Sequence, residues 1–247
     1  MGYGDEIMVT GQVAELVSRN GQPVCVFDRN NKIRRHPMWL NNPNITYEVR
    51  GSQLLINGPG KRPYVDYKKT TKTRWAYTNW KVTRGQIYFS EKESKNVKDL
   101  IGMVLIEPNI KTNASPNKLW GFDKCQRLVN SNPQIPWVQI RPQQNKWLKN
   151  VREVVTPTFR DAIVKMWGLS AFVSPEGGIH HAAAALGVPG VVIFGEMTSP
   201  LNTGYDTHIN LTSGNNPCGW RIPCVSCKKV MNSITPELVM KKLEALL

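Results

Sequence analysis

The hydrophobic pattern changes character along this chain. Residues 5–19 (DEIMVTGQVAELVSR) place Ile7, Met8, Val13, Leu16 and Val17 on one side of a helix. Val24-Cys25-Val26-Phe27 follows as a short apolar run ended by Asp28, a strand that gives the chain a βαβ-like beginning. Residues 29–98 then lose periodicity: turns, charges and rings alternate without a helical or strand repeat, and no elements are assigned there. Regularity returns at Val104-Leu105-Ile106, a buried-strand pattern that leads into Glu107-Pro108-Asn109. Phe122 to Val129 predicts a short helix, Trp137 to Ile140 a strand, and Thr158 to Trp167 a helix with Thr158 as N-cap. Ser170–Val173 and Val191–Phe194 predict two further strands on either side of a helix from Ile179 to Leu186. Thr235-Pro236-Glu237 opens a last helix, with Thr as cap, Pro at its first position and Glu facing the dipole; Val239, Leu243 and Leu246 form its apolar stripe.

Strand–helix alternation from residue 102 onward predicts a parallel sheet covered on both faces. The loss of pattern before it sets a division near residue 100, with residues 1–100 and 101–247 as separate units. At 247 residues the chain is long enough for two small domains. No run approaches the roughly 18–20 apolar residues of a membrane span, and the acidic start MGYGDEIMVTG lacks the cationic flank and apolar core of a signal peptide. The expected location is the cytoplasm.

Charge sharpens the division. Residues 29–98 hold 16 Lys and Arg against 4 Asp and Glu, a net +12 of the chain's +14, so the remainder is close to neutral. Nine aromatic residues are interleaved with those cations: Trp39, Tyr47, Tyr64, Tyr67, Trp75, Tyr77, Trp80, Tyr88 and Phe89. Phosphate-neutralising cations beside stacking rings suit a nucleic-acid surface, and a solvated basic face over a small aromatic core is the other reading. Arg34, Arg35, Lys68, Lys69, Lys72, Arg74 and Trp75 are the candidate contacts to an anionic acceptor.

The richest chemistry lies in Phe172-Val-Ser-Pro-Glu-Gly-Gly-Ile-His-His-Ala-Ala-Ala-Ala-Leu-Gly-Val-Pro-Gly-Val-Val-Ile-Phe-Gly195. A strand ends in a glycine turn, feeds a helix N-terminus, and is followed by a second strand and glycine loop. Glycines let backbone N–H groups approach a ligand, and a helix N-terminus favours negative charge. This stretch resembles the donor-site signature of the heptosyltransferase-like glycosyltransferases of family 9, Asp-Thr-Gly-x-x-His-x-Ala-Ala-Ala-Leu-Gly-x-Pro followed by a Phe-Gly loop. Glu176 stands at its Asp, Gly177 at its Thr, Gly178 at its Gly and His181 at its His. Phe194–Pro200 and Thr203-Gly204 resemble the family's phosphate loop, Lys118-Leu119-Trp120 its Lys-x-Trp element, and Gly4-Asp5 its Gly-Asp loop. The likeness covers about residues 102–212 and the first dozen, and is absent over 29–98; the strand that precedes the family's Gly-Asp loop has no counterpart ahead of Gly4.

The resemblance implies a GT-B fold of two Rossmann-like doubly wound α/β domains, the N-terminal one reduced, with the donor in the C-terminal one. It implies transfer of a hexose- or pentose-class sugar from a nucleotide-diphosphate sugar with inversion and without a catalytic metal. Asp5 would be the base; Lys118, the Gly177 and Gly178 amides, Thr198 and Ser199 would hold the diphosphate, Glu176 a hydroxyl of sugar or ribose, and His181 the donor. Glu for Asp and Gly for Thr are departures that bear on donor choice. The charge distribution directs the acceptor towards a hydroxymethylated pyrimidine in DNA, the work of a viral-type (bacteriophage) enzyme in the host cytoplasm. A lipopolysaccharide or other glycan acceptor is the alternative, and a non-catalytic nucleic-acid binder on a degenerate transferase fold is a third.

Five cysteines argue against a disulfide framework in a cytosolic chain. Cys25 and Cys125 stand apart. Cys218-x5-Cys224-x2-Cys227 gathers three thiols within ten residues, a candidate structural zinc site with His208 as a fourth donor.

Overall fold

The computed structural model describes residues 2–57, 62–95, 98–141, 146–212 and 217–247. The chain opens on α1 (Tyr3–Asn20), followed by β1 (Val24–Phe27), β2 (Ile45–Thr46), β3 (Gln53–Ile56) and the short α2 (Glu91–Ser94). β1 lies between β2 and β3 and is parallel to both, with Val24 opposite Ile45 and Gln53. Otherwise the described residues between 29 and 98 are largely irregular, in keeping with the missing periodicity there.

The second sheet contains β4 (Val104–Ile106), β5 (Trp137–Arg141), β6 (Arg152–Val155), β7 (Ala171–Pro175), β8 (Gly190–Gly195) and β9 (His208–Thr212). All its pairings are parallel, in the order β6-β5-β4-β7-β8-β9. The helices α3 (Phe122–Ser131), α4 (Phe159–Met166), α5 (Gly178–Leu186), α6 (Pro200–Thr203), α7 (Val225–Ser233) and α8 (Pro236–Glu244) intervene or follow. β6, β9, α6 and α7 carry no clear sequence signal. β6 exposes most of its residues at the sheet edge, so it lacks the apolar run of a central strand.

Successive strand residues point to opposite faces, and the two cores divide on that period of two. Leu105, Val138, Ile140, Phe172, Val192 and Phe194 pack with Ala162, Ile163 and Met166 of α4, Ala182 and Ala183 of α5, and Ile7, Val9 and Val13 of α1. Val104, Ile106, Val173, Val191 and Ile193 pack on the other face with Leu128 of α3 and Val239 and Leu243 of α8. Thr158 and Thr235 cap α4 and α8 as their sequences predict, accepting from Asp161 N and Leu238 N. No helix among the described residues is long and apolar enough to cross a membrane.

α1 lies against α5, and this contact joins the two halves of the chain. A Cβ on Gly4 would sit 2.6 Å from His181 Cδ2, so only glycine allows the backbones this close. A second tie runs from Arg160 of α4, which is buried. Its guanidinium donates to Glu93 at 2.6 and 3.1 Å and to the carbonyls of Pro37 and Tyr88 at 2.8 and 2.7 Å. Arg160 holds the Glu93 carboxyl down at about 2 against the opposing effect of partial burial. This pair contributes stability that is full above the ordinary glutamate pKa of about 4.5 and lost as pH falls through 2.

Two outcomes follow from these contacts. Glu93→Gln should flatten the pH dependence of unfolding stability between about pH 4.5 and 2 and leave its shape near neutrality unchanged, measured by urea unfolding across that range. Gly190→Ala should destabilise the chain by about 1–3 kcal/mol in the same assay. Its Cβ would fall 2.2 Å from the ring of Phe172 and 2.5 Å from that residue's carbonyl oxygen.

Candidate functional site

Strand order reverses between β4 and β7. The chain leaves β4 toward β5 and β6, then returns to the far side of β4 with β7. In open parallel sheets such a reversal leaves a crevice beyond the strands' carboxyl ends, because the flanking connections diverge to opposite faces. Lys118 lies in the loop after β4, Glu176 to Gly178 directly after β7, and Thr198 and Ser199 after β8, so all the predicted donor residues follow strand C-termini at or beside the reversal.

Glu176 is 4% exposed and forms an ion pair with Lys118. Burial alone would raise its pKa, but the Lys118 ammonium and the neighbouring histidines hold it well below the usual carboxylate range. His181 Nε2 lies 3.8 Å from Glu176 Oε1, and its Nδ1 is 2.8 Å from the Tyr205 hydroxyl. His180 serves the helix instead. Its Nδ1 accepts from Gly177 N at 3.3 Å and its Nε2 donates to Thr203 O at 2.8 Å. Burial and the neighbouring His181 hold its pKa well below the ordinary histidine value, against the opposing pull of Glu176 and the Thr203 carbonyl. Glu176, His180 and His181 offer ligand atoms within 4.8 Å of one another. The Lys118 ammonium, paired with Glu176, supplies positive charge there, and both His180 nitrogens are engaged.

Gly178 opens α5 with its Cα facing the N-terminus of α1; a Cβ there would lie 3.7 Å from Gly4 N and 3.0 Å from the Phe159 ring. Gly177 faces open space, so this position has room for the threonine that the family signature places there.

Gly4 and Asp5, which the resemblance puts in a loop, lie within the first turn of α1. Asp5 Oδ2 accepts from Gly2 N at 3.2 Å and from Arg62 Nη2 at 2.7 Å, and Oδ1 accepts from the Tyr64 hydroxyl at 3.3 Å. Burial raises the Tyr64 phenol well above its ordinary pKa, and the charges of both Asp5 and Glu176 add to the rise. Asp5 thus touches Tyr64, whose surroundings also include the Glu176 charge, and its neighbour Gly4 lies against His181 and Gly178, where the N-termini of α1 and α5 meet and their dipoles favour anions.

Thr198 and Ser199 are both 2% exposed. The Thr198 hydroxyl is 3.0 Å from the Tyr77 hydroxyl, which donates to Met197 O at 2.7 Å. The Ser199 hydroxyl accepts from Leu201 N and caps α6. Arg62, Tyr64, Tyr77 and Tyr205 were not singled out in the sequence: the first two lie 57 and 59 residues from Asp5, in the segment without periodicity. Only the interleaving of rings with cations pointed to that region.

The basic segment divides. Arg34 is no surface contact: it forms an ion pair with Glu6 at 2.7 Å, donates to Asn57 O, and lies over the buried Trp39 ring. Trp39 and Tyr64 belong to the core, and Trp75, Tyr77 and Trp80 pack against it. Arg35 is exposed over Tyr47. Lys68, Lys69, Lys72 and Arg74 remain exposed on one loop, with Trp75 half-buried between the guanidinium groups of Arg62 and Arg221 at 5.0 and 5.7 Å from its ring centre. This loop is paired with residues 217–222: Trp75 N donates to Gly219 O, Arg221 N to Thr73 O, and Arg74 Nε to Cys218 O. A groove of about 620 Å³ lies elsewhere, along α1 between Glu15 and Tyr88, and none of these site side chains lines it.

Cys218, Cys224 and Cys227 come together, with their sulfur atoms within 4.8 Å of one another. His208 does not join them. It packs against Phe172, His180 and Tyr205 with Nε2 at Val188 O, and burial lowers its pKa to about 4.

No protein-family model and no curated protein matches the chain. Solved structures do. Family 9 glycosyltransferase from Veillonella parvula aligns over 100% of this chain and 94% of its own, with a TM-score of 0.63 at 15% identity. The iron-containing dodecameric glycosyltransferase TibC from enterotoxigenic Escherichia coli covers 100% of this chain and 76% of its own, with a TM-score of 0.60 at 12% identity. The E. coli heptosyltransferase WaaC with ADP aligns over 67% of this chain with a TM-score of 0.50 at 15% identity. The chain spans about half the length of WaaC and of E. coli heptosyltransferase II, 51% and 53%. Its parallel sheets, strand reversal and full-length superposition give this chain the GT-B-like, Rossmann-type fold of the family 9 glycosyltransferases.

Proposed function

We propose that this chain transfers a glycosyl group from a nucleotide-diphosphate sugar to an acceptor hydroxyl, with inversion, where α1 meets α5. The observation that carries this reading is the convergence of Asp5, in the first turn of α1, with Lys118, Glu176 and His181 at the strand reversal. Inverting transfer needs a base for the acceptor proton on one side of the anomeric carbon and positive groups on the departing diphosphate on the other. Asp5, oriented by Arg62 and Tyr64, serves as the base. Lys118 and the backbone N–H groups at the start of α5 take the diphosphate, with Thr198 and Ser199 on the neighbouring loop; the Gly177 amide, expected to join them, instead donates to His180 Nδ1. Glu176 holds Lys118 in place until the donor arrives and then meets a hydroxyl of the donor's sugar or ribose. His181 is oriented by Tyr205 towards the same donor.

The acceptor we assign is an anionic hydroxyl compound that lies against Lys68, Lys69, Lys72, Arg74 and Trp75. A phosphorylated glycan is the first choice, because the solved structures that share this fold include heptosyltransferases. DNA carrying a hydroxymethylated pyrimidine is the second, favoured by the Arg62–Trp75–Arg221 stack, which provides cations beside a ring.

Both assignments are decided by intact-mass analysis after incubation with a panel of nucleotide sugars and two acceptors: a phosphorylated lipid-core glycan and DNA containing 5-hydroxymethylcytosine or 5-hydroxymethyluracil. A sugar-sized mass gain on either identifies the acceptor. Asp5→Asn should lower turnover by about 10²–10⁴-fold and leave donor binding, read by calorimetry, unchanged. Equal loss of nucleotide affinity in that variant would remove Asp5 from the role of base. Lys118→Ala should weaken nucleoside-diphosphate binding by at least about tenfold, since it deletes a charge-assisted contact of roughly 1.5–3 kcal/mol. An affinity within twofold of the parent would move the diphosphate away from the strand reversal.

A further inference from the structure

The transfer chemistry makes no use of the three gathered thiols. Cys224 is the N-cap of α7 and Cys227 lies in its first turn, so the two side chains emerge from the same end of the helix. Cys218 comes from residues 217–224, which lead into α7. Its sulfur is 2.8 Å from that of Cys227, well beyond the roughly 2.05 Å of a disulfide. All three sulfurs lie within 4.8 Å. A tetrahedral ion with metal–sulfur bonds of about 2.3 Å sets its thiolates ~3.8 Å apart, so Cys218 and Cys227 draw apart by about 1 Å to hold it. A disulfide would use two of the sulfurs and leave the third idle beside it.

The surroundings give the cluster a purpose. Residues 217–224 form no helix and bury little apolar surface; Ile222 is 47% exposed. Yet three functional loops fasten to this segment. Cys218 N donates to Glu196 O, in the loop that carries Thr198 and Ser199. Cys224 N donates to Asn117 Oδ1, whose amide nitrogen donates to Trp220 O and Ile222 O, next to Lys118. Arg74 Nε donates to Cys218 O, and the backbone of residues 73–75 pairs with 219–221. A segment with so little core of its own is held by hydrogen bonds and by the Arg74–Trp220 and Arg221–Trp75 contacts unless something cross-links it, and a metal is the usual cross-link where reducing conditions deny a disulfide.

We propose that Cys218, Cys224 and Cys227 bind one thiophilic divalent ion of the zinc class, with water in the fourth position, and that this ion locks the 62–78 loop to the donor loops. Binding requires thiolates, so any proton still on these sulfurs passes to solvent as the ion enters. The assignment is independent of the glycosyl-transfer reading, since its test involves no turnover.

The test uses the full chain, reduced, stripped with a chelator and titrated with Co²⁺ and then Zn²⁺. A single equivalent of Co²⁺ should produce the intense near-ultraviolet thiolate-to-metal band, and Zn²⁺ should abolish it by displacement. Cys224→Ser and Cys227→Ser should each weaken binding at least tenfold, while Cys25→Ala, far from the cluster, should bind as the parent does. Because the parent's own titration does not depend on any variant folding, a missing thiolate band overturns the site, as does recovery of an anaerobically handled chain that contains a Cys218–Cys227 disulfide and no metal. Hydrogen exchange followed by mass spectrometry tests the second half. Zn²⁺ should slow exchange at the Trp75 and Arg221 amides at least tenfold, and an unchanged rate with metal bound would overturn the locking role.

Discussion

The close approach of α1 to α5 is the constraint on which the rest of the molecule depends. Gly4 presents bare backbone to His181, Gly178 presents bare backbone to the start of α1, and the two helix N-termini converge as a result. That convergence brings Asp5, from the first residues, to Glu176 and His181, more than 170 positions later. It also closes the main core, because Ile7, Val9 and Val13 reach Ala182 and Ala183 only at this separation. A side chain at Gly4 would meet the His181 ring and the Gly178 backbone, push the helices apart and open the core. The farther end of α1 shows the same economy: Gly11 and Gly85 admit the 83–85 backbone against the helix, where a Cβ would lie 2.5 Å from Thr83 O or 2.7 Å from Ile7 O.

Around that contact the molecule buries charge in pairs. Asp5 with Arg62, Glu6 with Arg34, Glu176 with Lys118 and Glu93 with Arg160 each join segments distant in sequence. Such pairs are poor sources of net stability, because removing each ion from water costs several kcal/mol, but a lone member would be worse. Their value here is positional. Glu6–Arg34 and Arg160–Glu93 fix the ends of the irregular segment against the helices, and the other two hold the Asp5 and Glu176 carboxylates in set orientations. An excess of cations that looks in the sequence like one uniform basic face is thus put to two uses. Arg34 and Arg62 are structural anchors, paired with Glu6 and Asp5, whereas Lys68, Lys69, Lys72 and Arg74 stay exposed.

Legibility in the sequence followed burial. β4, β7 and β8 are buried on both faces, so their runs of Val, Ile, Leu and Phe announced them, and α4 and α8 announced themselves through Thr158 and Thr235 at their caps. β6 stayed hidden because an edge strand needs no continuous apolar run, and α7 because its start is set by Cys224, a residue with no capping hydrogen bond. The glycine turn from Glu176 to Gly178 was legible because a turn between a strand and a helix is a local device, and Lys118 entered only through its resemblance to a Lys-x-Trp element. Arg62 and Tyr64 were not legible, since nothing local distinguishes an arginine that will meet Asp5 from one that will meet water.

The sequence by itself determined the parallel α/β architecture of residues 102–247, the glycine turn at the head of α5, the concentration of cations before residue 100 and the grouping of three thiols near the C-terminus. Each of these rests on neighbours in the chain: the period of a strand, the backbone freedom of a glycine, the sum of local charge, the spacing of cysteines. Tertiary structure alone decided that Asp5 meets Arg62 and Tyr64, that Arg34 pairs with the buried Glu6, that His208 packs among rings away from the cysteines, and that residues 217–222 pair with the basic loop. Those choices follow from which helices can approach closely and which buried charges must find partners, and both are settled only when the whole chain is packed.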